Sequence, residues 1–195
     1  VEMVKLHQIE LLHVHYAIPH AYAAYMAKQM LKENGIDIPL VTTLHGSDIT
    51  LVGSHPFYKP AVTFSINNSD VVTAVSKDLR SDTFNLFDVH KEIYVVPNFI
   101  NISRYDNIRV NCERGTVAAA DEGILTHVSN FRPVKRVLDV IETFAIVREH
   151  IPAKLMMVGD GPDRLAAENR CRELDIWDDV VFYGKTNEVS NILCY

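Results

Sequence analysis

Residues 124–145 read ILTHVSNFRPVKRVLDVIETFA, and this stretch decides the predicted fold. Its first five residues form a short apolar run that predicts a buried strand. Apolar residues then recur at helical spacing and mark one helix face: Val134, Val137, Leu138, Ile141, Phe144 and Ala145. A buried strand followed directly by an amphipathic helix is the repeating unit of a parallel α/β sheet. The stretch therefore predicts the α/β class.

The same alternation of strands and helices occupies most of the chain. The predicted strands are 9–16, 39–44, 71–75, 92–96, 124–128, 154–158 and 180–183. The predicted helices are 19–34, a segment within 58–68, 76–87, 134–145 and 162–174. The polar stretch 107–123 has no clear period, and we place a linker at 111–123. The sequence therefore predicts two doubly wound lobes, residues 1–110 and 124–195.

The composition is that of a globular protein, with 48% hydrophobic and 23% charged residues. A net charge of −6 argues against a nucleic-acid surface, so any anion site must be a local basic pocket. No apolar run approaches about 18 residues, so no membrane span is predicted. Three widely spaced cysteines, at 112, 171 and 194, favour reduced thiols in a cytosolic protein. Because the chain begins with Val1 and ends within an apolar pattern, we expect it to be a piece of a longer protein.

The residues suited to binding or catalysis gather where the predicted strands end. They are His13, His15, Tyr16, His20, Thr42, Thr43, His45, Asp48, Ser76, Asn98, Arg132, Lys135, Arg136, Gly159, Asp160 and Gly161. Ligands of open α/β sheets bind beyond the carboxyl ends of the strands. This distribution predicts a site in a crevice between the two lobes.

Three cations, Arg132, Lys135 and Arg136, crowd into the turn before a predicted helix. The helix dipole favours anions at that end, so cations alone are unfavourable there. A diphosphate bound between the cations and the backbone N–H groups would make both interactions attractive. A solvated basic surface patch is the alternative, and the residues leave both interpretations open.

The segment Gly159-Asp160-Gly161-Pro162 follows a predicted strand. Its glycines let the backbone turn sharply and approach a ligand closely, and Pro162 suits the first turn of a helix. A plain connection between strand and helix is the alternative. The segment does not match the dinucleotide pattern Gly-x-Gly-x-x-Gly.

Four histidines, at 13, 15, 20 and 45, raise the alternative of a metal site, since His13 and His15 share one face of a strand. Acidic partners are sparse and the chain has no Asp-x-Asp, so hydrogen bonding is the favoured interpretation. The sequence has no Gly-x-Ser-x-Gly elbow and no carboxylate pair spaced for hydrolysis.

Several stretches occur in one order: TTLHGSD at 42–48, TAVSKDLR at 73–80, VVPNFIN at 95–101, SNFRPVKR at 129–136, MMVGDGPDR at 156–164 and VFYGK at 181–185. This ordered set resembles the family 4 retaining glycosyltransferases of the GT-B type. HVHYAIPHAYAAY at 13–25 adds a resemblance to the members that transfer N-acetylglucosamine to L-malate in the first step of bacillithiol biosynthesis.

The resemblance implies two Rossmann-like lobes, each partly present here. Residues 1–110 would be the later part of an acceptor-side lobe, and residues 124–195 the early part of a donor-side lobe. The donor would be UDP-N-acetylglucosamine and the acceptor L-malate, with no obligatory cofactor or metal. The expected partners are these small molecules, without nucleic acid or membrane, in the cytoplasm; a homo-oligomer stays open.

The resemblance also assigns roles to individual residues. The catalytic residues would be His45, Arg132 and Lys135. The donor contacts would be Asn130, Arg132, Lys135, Gly159, Asp160, Gly161 and Lys185. The acceptor contacts would be Tyr16, Thr43 and Asn98, with Arg80 or Arg104 as the cation that faces malate. No residue is assigned to a metal.

The chain departs from the family pattern in three places. Ser129-Asn130 stands where the family has Gly-Arg, and arginine appears two residues later, at Arg132. The family's N-terminal glycine-rich loop and its C-terminal glutamate pair have no counterpart in these residues, so we expect this chain alone to be inactive. The alternatives are another acceptor, a sugar-nucleotide-binding protein without activity, and a fold-related epimerase or phosphorylase.

Overall fold

The computed structural model describes residues 1–51, 53, 55–104 and 114–193, and for Arg104 the backbone alone. Its backbone forms two compact units, Val1–Phe99 and Ile100–Tyr195. Residues 111–113 of the predicted linker, together with Cys112 and Cys194, lie outside the described part. In the described part no helix combines the length and apolar character that a bilayer crossing needs.

The first unit is built on a four-stranded parallel sheet with the strand order β1-β2-β3-β4. The strands are β1 Leu12–His15, β2 Leu40–Leu44, β3 Val71–Ala74 and β4 Ile93–Val95. The helices are α1 Glu2–His7, α2 Tyr22–Glu33, α3 Lys59–Asn67 and α4 Lys77–Leu86. Single π-helical turns, Ala17–Ala21 and Ser47–Leu51, follow β1 and β2.

The core of the first unit lies between the sheet and its helices. Its buried members are Ala17, Leu44, Ile49, Val62, Ile66, Val72, Ala74, Leu79, Phe87 and Ile93. Ser76 caps helix α4, and its side-chain oxygen accepts a hydrogen bond from the Leu79 N–H at 3.1 Å, as the sequence predicts for an N-cap. This cap fixes the chain direction at the carboxyl end of β3.

The second unit is built on a three-stranded parallel sheet with the strand order β5-β6-β7. The strands are β5 Gly123–Val128, β6 Ala153–Val158 and β7 Val180–Gly184. The helices are α5 Val137–His150, α6 Arg164–Glu173 and α7 Val189–Ile192, with 3-10 turns at Ile102–Arg104, Arg114–Thr116, Pro133–Lys135 and Trp177–Asp179. The core includes Phe131, Ile141, Phe144, Leu155, Met157 and Cys171.

The predicted start of helix α5 at Val134 is wrong by three residues. Residues Pro133–Lys135 form a 3-10 turn, and Arg136 has left-handed backbone angles of φ 50° and ψ 45°. Val134 is 75% exposed, whereas Val137 is buried, so the buried face begins at Val137. Helix α2 likewise starts later than predicted, at Tyr22, because Ala17–Ala21 form a π-helical turn in which Ile18 is not helical.

Two loops of the second unit are joined by their backbones. The Ser129 N–H donates to the carbonyl of Val158 at the end of β6, and the Phe131 N–H donates to the carbonyl of Asp160 in the glycine segment, both at 3.0 Å. A Cβ atom on Gly159 would lie 1.8 Å from the Ser129 oxygen, and one on Gly161 would lie 2.4 Å from the Phe131 oxygen. The close approach that requires these glycines is therefore the approach of one loop to another.

We expect Gly161→Ala to lower the free energy of unfolding by roughly 1–3 kcal/mol, because the added methyl group overlaps the Phe131 backbone. Urea unfolding of the whole chain measures this loss. Gly115→Ala is the matched control, since nothing lies within 4 Å of its added Cβ, and it should stay within about 0.5 kcal/mol of wild type. Equal stability of the two variants would contradict the proposed loop contact.

Candidate functional site

A hydrogen-bonded row crosses the carboxyl ends of three strands in the first unit. The hydroxyl oxygen of Thr43 lies 2.8 Å from Nε2 of His13 and 2.7 Å from the hydroxyl oxygen of Thr73. Parallel register produces this row. Thr43 stands opposite His15 on β1 and opposite Thr73 on β3, and His13 lies two residues before His15 on the same face of β1. Thr43 is 8% exposed, so its hydroxyl bonds to side chains of the sheet and holds His13 in place.

A cluster of rings stands beside this row. Nδ1 of His15 lies 2.7 Å from Nε2 of His45, and the ring centroids of Tyr16 and His45 are 4.9 Å apart. His20 donates from Nδ1 to the carbonyl oxygen of His15 at 2.7 Å. The structure thus brings together three predicted site residues, Tyr16, Thr43 and His45, on the loops and strand ends of β1 and β2.

The carboxylate of Asp48 fixes the loop that carries His45. One oxygen accepts from the Ala17 N–H at 2.8 Å, and the other accepts from the N–H groups of Gly46 at 3.0 Å and His45 at 3.2 Å. Asp48 is 3% exposed, so these bonds take the place of water. From the sequence, Asp48 was placed at a strand end but was assigned no role. The sequence feature that indicates this role is an aspartate two residues after a loop glycine, because aspartate side chains often bond the backbone of their own loop.

The electrostatic environment keeps His45 neutral. Partial burial, and then the neighbouring His15, lower the pKa of His45 below its ordinary value, while Asp48 opposes the shift. A neutral imidazole has one donor and one acceptor nitrogen, so His45 can exchange hydrogen bonds with hydroxyl groups at neutral pH.

An apolar cavity of about 440 Å³ adjoins the ring cluster. Tyr16, Tyr22 and Tyr58 line it together with Asp48. Its volume is within the range of small-molecule sites. Arg80, a candidate for the cation that faces malate, lines a different cavity of about 540 Å³ together with Lys77, Glu92 and Tyr94. The side chain of Arg104 lies outside the described part, and Asn98 is exposed after β4.

The basic turn of the second unit presents its cations to solvent. Arg132, Lys135 and Arg136 are all exposed. Arg136 pairs with Asp139. Among the described residues, Arg132 and Lys135 form no salt bridge. These two are therefore the cations that are available to an anion.

The other predicted donor contacts lie on neighbouring loops. The Arg132 N–H donates to the Asn130 carbonyl at 2.7 Å, and the Gly159 N–H donates to the Gly184 carbonyl at 2.8 Å, next to the exposed Lys185. The second unit thus collects Asn130, Arg132, Lys135, Gly159, Asp160, Gly161 and Lys185 around the carboxyl ends of its strands.

Arg164 is the last residue of the MMVGDGPDR motif, but it was assigned no role from the sequence. It pairs with Glu168 at 2.9 Å and lies 3.9 Å from the Asp160 carboxylate.

Two further side chains report on the environment of the second unit. Partial burial, and then the charge of Lys135, lower the pKa of His127, whose Nε2 lies 2.7 Å from the Ser129 hydroxyl oxygen. Burial raises the pKa of Cys171 to about 11, so this thiol stays protonated at neutral pH.

Within the described residues no group of three or more His, Cys, Asp or Glu is arranged to hold a metal ion.

Structural comparison identifies the fold first. The chain superposes on Anabaena Alr3699/HepE in complex with UDP and glucose, with a TM-score of 0.76 at 18% identity, covering 98% of this chain and 52% of that one. Sucrose-phosphate synthase from Thermosynechococcus elongatus gives a TM-score of 0.74 at 16% identity, covering 99% and 49%. The predicted fold class, two Rossmann-like lobes of the GT-B type, is confirmed.

Sequence comparison then gives the family. Residues 1–104 match the model of Glycosyltransferase Family 4, and residues 113–195 match that of Glycosyl transferases group 1. The chain belongs to the family 4 glycosyltransferases. It is 45% identical over 195 residues to N-acetyl-alpha-D-glucosaminyl L-malate synthase of Bacillus anthracis, covering 98% of this chain and 50% of the relative. The chain thus spans about half the length of this curated relative.

We expect Asp48→Asn to lower the free energy of unfolding by roughly 1–3 kcal/mol. Both carboxylate oxygens accept hydrogen bonds from backbone N–H groups, so the amide nitrogen of asparagine would leave at least one of these N–H groups without its acceptor. Urea unfolding measures the loss. Asp37→Asn makes the same change at an exposed position and should stay within about 0.5 kcal/mol of wild type. Similar losses in both variants would remove Asp48 from this role.

Proposed function

We propose that the protein of full family length carrying this sequence is a retaining glycosyltransferase that moves N-acetylglucosamine from UDP-N-acetylglucosamine to L-malate, the first step of bacillithiol biosynthesis. The observation that carries this proposal is the 45% identity to the Bacillus anthracis L-malate synthase over 98% of the chain. We place the reaction in the cytoplasm, with small-molecule substrates and no obligatory cofactor.

The donor would bind to the second unit, the proposed donor-side lobe at 124–195. Arg132 and Lys135 carry charges that no carboxylate in the described part neutralises, and they follow β5 at its carboxyl end. Negative charge grows on UDP as the glycosidic bond breaks, and fixed cations stabilise that charge. Asn130, Gly159, Asp160, Gly161 and Lys185 complete the proposed donor contacts.

The acceptor would bind to the first unit, the proposed acceptor-side lobe at 1–110, next to Tyr16, Thr43 and Asn98. The neutral ring of His45 would face the donor sugar with Nδ1, since Nε2 lies 2.7 Å from Nδ1 of His15. Thr43 would support this site through His13, since its hydroxyl already bonds within the sheet. The cation that faces malate is proposed to be Arg80 or Arg104. The linker between the two lobes is proposed at 111–123.

We expect Arg132→Ala to weaken UDP binding by roughly 1.5–3 kcal/mol, the net worth of hydrogen bonds to a charged group. Calorimetric titration of the full-length protein with UDP measures the loss. Arg136→Ala is the matched control in the same turn and should cost less, because Arg136 is already paired with Asp139. Equal losses in both variants would indicate a diffuse basic patch.

His127 provides a second measurement of the same binding event. Phosphate bound at Lys135 would offset the cation that now helps to depress the pKa of His127. Saturating UDP should therefore raise that pKa, which NMR titration of the ring protons follows. An unchanged pKa together with unchanged UDP affinity in Arg132→Ala would remove the basic turn from the donor site.

The acceptor is tested by UDP release from UDP-N-acetylglucosamine in the full-length protein. We expect release to require L-malate and to stay at background with inositol phosphate or a lipid acceptor. Release with a different acceptor would keep the donor assignment and overturn malate. Release without any acceptor would indicate an epimerase, and UDP binding without release would indicate a sugar-nucleotide-binding protein.

A further inference from the structure

We infer that His15 is a positioning residue, which sets the tautomer and orientation of His45 so that Nδ1 of His45 accepts a hydrogen bond from a substrate hydroxyl group. The hydroxyl belongs to the sugar or acceptor of the proposed reaction, so this part of the inference rests on the proposed function. The contact between the two rings is a property of the chain itself.

The two imidazoles form a direct hydrogen bond. Nδ1 of His15 and Nε2 of His45 are 2.7 Å apart, and the ring planes are inclined by 45°. One ring must donate and the other must accept, because two lone pairs or two N–H groups cannot face each other at this distance. The pair therefore has two neutral arrangements.

The intrinsic preference of the histidine side chain selects one arrangement. Neutral histidine in water carries its proton mainly on Nε2. If His45 donates from Nε2 to Nδ1 of His15, both rings keep that preferred form. The opposite direction requires both rings to carry the proton on Nδ1. The first arrangement therefore has the lower energy, and it leaves Nδ1 of His45 as a lone-pair acceptor.

Both members of the pair are held by the fold. His15 lies at the end of β1 opposite Thr43, and its carbonyl accepts from Nδ1 of His20 at 2.7 Å. The backbone N–H of His45 is bound to the buried Asp48. With both backbones fixed, the contact with His15 determines how the His45 ring is turned.

The surroundings of His45 favour its neutral state. The titratable groups that face it are His13, Tyr16, His20 and Asp48. Partial burial and the second ring depress the pKa of His45. A doubly protonated pair would place two N–H donors against each other and would lose the bond.

The test compares two replacements of His15. His15→Phe keeps an aromatic ring and removes the acceptor, whereas His15→Asn places an amide oxygen near the position of Nδ1. The nitrogen signals of the His45 ring, assigned with His45→Gln, are measured in the whole chain by long-range nitrogen-proton NMR. We expect Nε2 protonated and Nδ1 unprotonated in wild type and in His15→Asn, and a mixture of tautomers in His15→Phe.

Turnover provides the second readout in the full-length protein. We expect His15→Phe to lower kcat by about 10- to 100-fold with little change in KM, by analogy with the loss of a group that orients a metal-binding imidazole. His15→Asn should restore part of that loss. His7→Phe makes the same change at an exposed histidine in α1 and should leave kcat unchanged.

The outcomes separate this inference from the proposed function. A His45 ring protonated on Nδ1 in wild type, or identical His45 signals in wild type and His15→Phe, overturns the inference whatever the turnover. The expected tautomers in a protein that transfers no sugar leave the positioning role standing and overturn the proposed function alone. If His15→Phe does not fold, His15→Leu, which also lacks the acceptor, takes its place in the comparison with wild type.

Discussion

Parallel pairing of neighbouring strands is the constraint on which the rest of the structure depends. It places the carboxyl ends of β1, β2 and β3 at one edge, so side chains about thirty residues apart in sequence come within hydrogen-bond distance. The same constraint in the second unit joins the loop after β5 to the loop after β6 through backbone bonds. Each candidate cluster is a direct consequence of strand register.

Much of the fold could be predicted from the sequence, because apolar runs and helical spacing reflect burial directly. All seven predicted strands are present, with ends that differ by at most three residues. The start of α5 could not be predicted, since it depends on one left-handed backbone conformation at Arg136, which the spacing of apolar residues does not encode. The π-helical turn after β1 also escaped prediction, because the extended backbone of Ile18 within it, with φ −132° and ψ 143°, is not encoded in that spacing either.

The candidate site could be predicted only as a neighbourhood. Strand ends place Tyr16, Thr43 and His45 near one another, yet the sequence does not say which nitrogen faces which ring. The role of Asp48 in fixing the His45 loop depends on a hydrogen bond from the Ala17 N–H to its carboxylate at 2.8 Å, which the sequence does not indicate. The glycines at 159 and 161 were predicted to let the backbone approach a ligand, whereas the neighbour that needs the space in the structure is the Ser129 to Phe131 backbone.

The row formed by His13, Thr43 and Thr73 has a direction. Each threonine hydroxyl has a single proton, so Thr43 cannot donate to both neighbours. When Nε2 of His13 accepts, Thr43 donates to it and receives from Thr73. With a proton on that nitrogen, Thr43 would accept from His13 and donate to Thr73, so the tautomer of one ring on β1 sets the polarity of a hydrogen-bond chain that extends to β3.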